Sequence, residues 1–248
     1  MTKININKNK IFDMRSLSVF LPAVLFAILW TTNPVDAQSK AKSKGRISYV
    51  YRAAYVQKNI DERIKFYLDS LGYTVKFVDA AEPVSAADGA DLVIISANVS
   101  ARAIGDKYKD VKIPILMWES DLQDDLRYTG KHREVDFGKG EKDHYIWLVN
   151  APHPLSAGLP AGTAVAFEGD QPIGWGKPGL GASIIATFPG QPDKAIIYGY
   201  EKGATMDYDF LAPARRVMFC LNNATFPFLT KDGLKLFDAA VAWSMGSN

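Results

Sequence analysis

The chain has 248 residues, 48% apolar and 23% charged, a balance that places it among globular proteins and excludes global disorder. Its formal net charge is +2, but beyond residue 37 basic and acidic residues are equal in number, 25 of each. The basic field that binding nucleic acid or anionic lipid would require is missing.

A basic, Asn-rich start leads into the apolar run Leu17 to Trp30, 14 residues interrupted by Pro22, then Thr31-Thr32-Asn33-Pro34 and the small-residue pattern Val35-Asp36-Ala37. A spanning helix needs roughly 20 apolar residues. Residues 1–37 therefore read as a signal peptide cleaved after Ala37, with an uncleaved anchor as the alternative. The mature chain is expected to be secreted or periplasmic and to keep no stable membrane span. The single cysteine, Cys220, lies far from that site, which excludes a lipid-modified cysteine there, an intrachain disulfide and a Cys-rich metal site. Lys40, Lys42 and Lys44 mark residues 38–45 as a basic linker, and residues 46–248 read as one α/β domain.

From Arg46 onward strands and helices alternate. Ile47 to Tyr51 predicts a strand, and Val56, Ile60, Ile64, Tyr67, Leu68 and Leu71 recur at helical spacing before Gly72. Tyr73 to Val78 predicts a second strand. Ala90 to Ser96 and Ile113 to Trp118 are nearly continuous apolar runs, the mark of parallel strands buried on both faces, and a helix from Ala101 to about Tyr108 fits between them.

The second half has another texture. A charged stretch runs from Lys131 to Asp143, and short strands are predicted at Tyr145 to Val149 and Ala164 to Glu168. Ser183 to Phe188 and Ala195 to Tyr200 flank Pro189-Gly190-Gln191-Pro192-Asp193, which reads as a hairpin loop. Arg216 to Leu221 predicts one more buried strand. Thr230 is placed to cap a last helix, on which Leu234, Phe237, Val241 and Met245 share a face.

Several segments carry a family likeness: DLVIIS at Asp91 to Ser96, PILMWES at Pro114 to Ser120, HPLSAGLPAG at His153 to Gly162, YEKGATM at Tyr200 to Met206, APARRVMF at Ala212 to Phe219 and LTKDGLKLFDAAVAW at Leu229 to Trp243. In this order and spacing the chain resembles the class I glutamine amidotransferase-like superfamily and, within it, the ThuA-like (trehalose-utilisation) and related secreted bacterial modules. The resemblance implies a flavodoxin-like α/β fold: a doubly wound, mostly parallel sheet with inserted antiparallel strands in the second half.

Amidotransferases of that superfamily carry a cysteine nucleophile on a sharp turn after a central strand, because attack on an amide carbon at neutral pH needs a thiolate beside backbone donors. The matching turn here reads Trp118-Glu119-Ser120-Asp121. Cys220 falls inside a predicted core strand, where a buried thiol is inert. Ser120 could act only with a base in reach, and of the three histidines His153 is the candidate, placed by the resemblance near the carboxyl ends of the strands. Equally, Glu119 or Ser120 can cap a following helix and His153 can cap a turn. ThuA-like proteins often carry Gly-His after the last strand; this chain has Asn222-Asn223.

Gly174 to Gly179 matches G-x-G-x-x-G in letters, yet it holds Pro178 and opens no predicted helix, so no dinucleotide cofactor is implied and the segment reads as a loop. The acidic group Glu119, Asp121, Asp124 and Asp125 lacks the spacing of a calcium loop, and no metal is expected there. Tyr49, Tyr51, Tyr55, Trp118, Trp147 and Trp175 are either core or a platform for sugar rings.

Open α/β sheets bind ligands where strand order reverses, at the carboxyl ends. That rule places a candidate ligand site at Arg52, Ser96, Asn98 and Asp121, with Asn222 reaching in, and keeps Glu119, Ser120 and His153 as candidate catalytic groups. The expected function is an exported, noncatalytic module binding a small molecule or carbohydrate. The alternative is a carbohydrate-active hydrolase or isomerase using Glu119 and His153 as acid and base.

Overall fold

A computed structural model describes residues 43–246 other than 57; the signal-peptide reading lies outside the described residues. Five strands form the parallel part of the sheet: β1 (Arg46–Tyr51), β2 (Thr74–Asp79), β3 (Leu92–Ile95), β4 (Ile115–Met117) and, late in the chain, β11 (Arg216–Met218). They lie in the order β2-β1-β3-β4-β11, the flavodoxin-like arrangement, whose reversal falls between β1 and β3.

Strand alternation explains why β3 and β4 lack polar residues. Leu92, Ile94, Leu116 and Val217 face the layer holding helices α1 (Lys58–Ser70) and α3 (Lys231–Ser244). Val93, Ile95, Met117 and Met218 face the opposite layer, with Ile104 of the short helix α2 (Ala101–Ile104) and Tyr108. With elements packed on both faces, no position of β3, β4 or β11 is left to water. Thr230 caps α3, its hydroxyl accepting from the Gly233 N–H at 3.1 Å.

The remaining strands are β5 (Phe137–Asp143), β6 (Tyr145–Leu148), β7 (Gly162–Val165), β8 (Gln171–Gly176), β9 (Ser183–Phe188) and β10 (Gln191–Tyr200). β10, β9, β6 and β7 extend the sheet antiparallel beyond β11, and β5 pairs with β8 as a ribbon joined to β10.

Several elements differ from the sequence expectation. The first helix starts at Lys58, leaving Val56 exposed outside it. α2 stops at Ile104 because Gly105, at φ 50°, turns its N–H back to the Ala101 carbonyl. β10 begins at Gln191, so only Pro189 and Gly190 separate it from β9. On α3 the buried stripe is Gly233, Leu236, Phe237, Ala240 and Val241, while Leu234 and Met245 sit at its margin.

The largest departure is the β5–β8 ribbon, which spans a charged stretch and a supposed loop. Gly174 and Gly176 make it possible. A Cβ at Gly174 would overlap the Ser120 hydroxyl, and one at Gly176 would overlap the Gln123 carboxamide. Without side chains there, the turn after β4 packs directly on β8, and Gln123 Nε2 donates to the Trp175 carbonyl at 2.9 Å.

Candidate functional site

At the carboxyl ends of β1, β3 and β4 lies a cleft of 310 Å³. Its walls come from five chain segments: Arg52 and Tyr55 after β1, Asn98 to Ala101 after β3, Glu119 and Asp121 after β4, Lys139 on β5, and Asn223 after β11. Arg52, Asn98, Glu119 and Asp121 thus share one cavity. Across the switch point, Asn98 Oδ1 accepts the Arg52 backbone N–H at 3.0 Å, fixing the β1 loop to the β3 loop.

Beneath that contact sits a buried carboxylate, Asp61 of α1, 2% exposed. Tyr49 donates its hydroxyl to it at 2.8 Å, Ser96 at 2.6 Å, and Asn98 donates its amide N–H to the other oxygen. Burial pushes the Asp61 carboxyl above its ordinary range despite the three donors that favour its charged form. Ser96 therefore supports the cleft rather than lining it, because its hydroxyl is spent on Asp61.

Glu119, 4% exposed, enters the cleft from the end of β4 and caps the 3-10 turn Ser120–Leu122, accepting the Asp121 N–H at 2.9 Å. Loss of water around the carboxyl pushes it up to about 7, outweighing the Asp121 N–H and the Lys139 and Arg133 cations, which pull the other way. Asp121 is held from two sides, by Arg133 at 2.9 Å and Lys139 at 3.4 Å.

Three candidates are not part of this constellation. Ser120 is 3% exposed with its hydroxyl against the Gly174 backbone, so it offers no nucleophile to the cleft. His153 lies at the other end of the sheet, where its ring is 5.3 Å from that of Trp243 near the C-terminus of α3. Its charged neighbours are Glu201, which follows β10, and Arg215, which precedes β11. These are the amino ends of the parallel strands, so Glu119 and His153 form no acid–base pair. His153 Nδ1 instead accepts the Leu155 N–H at 3.1 Å, capping the turn Pro154–Ser156. Asn222 is the third correction: its side chain accepts the Asn223 N–H at 2.6 Å, and Asn223 is the one that faces the cleft, donating to the Tyr55 hydroxyl at 3.1 Å.

Cys220 sits two residues beyond β11, not inside it, and is fully buried. Burial pushes its thiol up to about 12, so no thiolate is available at neutral pH. Tyr49, Trp118 and Trp175 belong to the core and Tyr51 stacks on Phe77, which leaves Tyr55 in the cleft and Trp147 on the surface. Asp143, His144 and Asp170 bring potential metal-ligand atoms within 4.8 Å of one another at the end of the β5–β8 ribbon, outside the cleft lining, and His144 Nδ1 lies 2.5 Å from Asp170 Oδ1. No helix among the described residues is long and apolar enough to cross a membrane.

Sequence reasoning missed Asp61, Tyr55 as a wall residue, Lys139 and Asn223. A signal for Asp61 was available: it shares the helical stripe of Ile64 and Leu68, and an acid on an apolar stripe is buried with partners or not at all.

Fold and cleft together define a flavodoxin-like α/β protein with a polar crevice at its switch point. No protein-family model matches the chain, and no curated protein matches it. Among solved structures, a protein described as a GMP synthase subunit, from Thermoplasma acidophilum, is similar over 81% of this chain and 94% of its own, at 16% identity and a TM-score of 0.49. A ThuA-like protein from Parabacteroides merdae is similar over 81% of this chain and 90% of its own, at 12% identity and a TM-score of 0.46.

Proposed function

We propose that this chain is an exported, noncatalytic binding module of amidotransferase-like fold that takes a small molecule or carbohydrate in the cleft at the carboxyl ends of β1, β3 and β4. The convergence of five chain segments on one 310 Å³ polar crevice carries the reading, since ligands of open α/β sheets bind at this place. The noncatalytic part is supported by where the nucleophile candidates lie: Cys220 is sealed in the core and Ser120 is packed on Gly174. His153, the base that either would need, is at the far end of the sheet.

The test is a thermal-shift screen of residues 38–248 against metabolites and glycans. A ligand held at 100 times its dissociation constant adds about 2.7 kcal/mol to stability. The stabilisation is expected to shrink in Asn223→Ala and Glu119→Gln. A ligand whose effect survives both changes would place binding elsewhere, and turnover of a bound compound would refute the noncatalytic part. Export rests on the Leu17 to Trp30 run and the Val35-Asp36-Ala37 pattern. Amino-terminal sequencing of material from outside the cytoplasm should begin at Gln38; an intact Met1 would overturn it.

A further inference from the structure

Resting on that reading, we infer that the ligand is a sugar acid, a polyhydroxylated compound with one carboxylate, seated with the carboxylate on Arg52 and its hydroxyls against Glu119, Tyr55 and Asn223. Among the described residues, the lining of the cleft leaves one cation, Arg52, without an ion-pair partner. Asp121 is already matched, lying between Arg133 and Lys139. Arg52 is not: among the described residues its guanidinium makes no ion pair. A neighbouring carboxylate, Asp79, accepts the Ala53 and Ala81 N–H groups, each at 2.9 Å, and attracts Arg52 without reaching ion-pair distance. Arg133 is shared with Glu134 as well, so the lining itself sets two cations, Arg52 and Lys139, against Asp121, with the Glu119 carboxyl pushed up to about 7 by burial. An unmatched guanidinium at the mouth of a cleft is a planar carboxylate receptor.

The other walls suit hydroxyls rather than a second charge. Tyr55 accepts from Asn223 and keeps its own proton to donate, and the Glu119 carboxyl accepts in both protonation states and donates when protonated. The volume is at the small end of the range of ligand pockets, about 300 to 1,000 Å³, which suits one sugar-sized molecule.

Isothermal titration of the protein with D-gluconate and D-glucuronate, against D-glucose and inorganic phosphate in an amine buffer, tests this. A sugar acid is expected to bind at least about ten-fold more tightly than glucose or phosphate, as a charge-assisted hydrogen bond contributes. Arg52→Gln should remove about that factor for the acid and leave glucose unchanged; Arg52 is exposed, so its melting temperature should stay the same. Equal binding of glucose and gluconate, equal binding of phosphate and gluconate, or an unaffected Arg52→Gln would each overturn the inference. If another compound from the metabolite screen binds and is lost in Asn223→Ala while neither sugar acid binds, the inference falls and the binding reading stands. If nothing binds, both fall.

Discussion

Glu119 and His153 are local twins at opposite ends of one sheet. Each begins a 3-10 turn, and each side chain accepts a backbone N–H two residues on, from Asp121 and from Leu155. Their surroundings differ. Around Glu119, loops after β1, β3 and β11 and the edge of β5 meet over an open crevice. Around His153, an indole ring and the ends of β10 and β11 fill the space. A polar residue at the start of a turn is thus no evidence of a site; convergence of separate chain segments on shared solvent is.

The comparison is most severely strained by removing what holds the cleft end together. Asp61→Ala leaves three buried donors, on Tyr49, Ser96 and Asn98, without an acceptor. We expect a loss of about 3 kcal/mol or more in urea unfolding at pH 7. A loss below about 1 kcal/mol would mean that the loops after β1 and β3 do not depend on this carboxylate.

The second expectation uses pH. Glu119 has its folded pKa raised to about 7 from an ordinary 4.5. Between those values the native state binds more protons than the unfolded chain, so stability falls as pH rises from about 4.5 to 7. The contribution is on the order of 3 kcal/mol. Glu119→Gln should flatten that part of the stability–pH curve and leave the variant the more stable protein at pH 8. An unchanged slope would show that the carboxyl is not desolvated.

Most of the parallel half was legible because β3, β4 and β11 are buried on both faces and α1 and α3 carry apolar stripes. ADLVIIS and IPILMW could be little else. The β5–β8 ribbon was not legible: its glycines serve the packing of Ser120 and Gln123 from another segment, a reason that exists only in three dimensions. The same holds for the site. Arg52, Asn98, Glu119 and Asp121 follow from the rule that strand ends converge, whereas Lys139 arrives on the unforeseen ribbon, and Asn223 replaces Asn222 through one hydrogen bond within a loop. His153 was misplaced because its loop was assigned to the wrong end of the sheet.

A smaller effect is expected at Cys220, which belongs to neither end. Its thiol should resist a disulfide reagent in the native protein and react at once in urea, since burial pushes it up to about 12. Cys220→Ser should cost about 1 to 2 kcal/mol, from a hydroxyl in an apolar site. Native-state labelling at the rate of a free thiol would contradict the packing after β11.

The smallest effect completes the comparison at the amino end. His153→Ala removes one cap and the contact with Trp243, for a loss of about 1 kcal/mol. Burial holds the imidazole below its ordinary value, with Arg215 acting in the same direction and Glu201 against it. The native state therefore binds fewer protons here than the unfolded chain does, and this contribution is lost as pH falls below the histidine's ordinary value. That sign is opposite to Glu119, whose contribution is lost as pH rises. The two groups thus act over the same acidic range with opposite slopes that partly cancel, and the double variant Glu119→Gln/His153→Ala should show the sum of the two single changes, because groups at opposite ends of the sheet do not couple. Ligand binding in the cleft should be unchanged in His153→Ala and weakened in Glu119→Gln. A His153→Ala variant that loses binding as Glu119→Gln does would mean that the two ends act as one site, and the distinction drawn from their surroundings would fail.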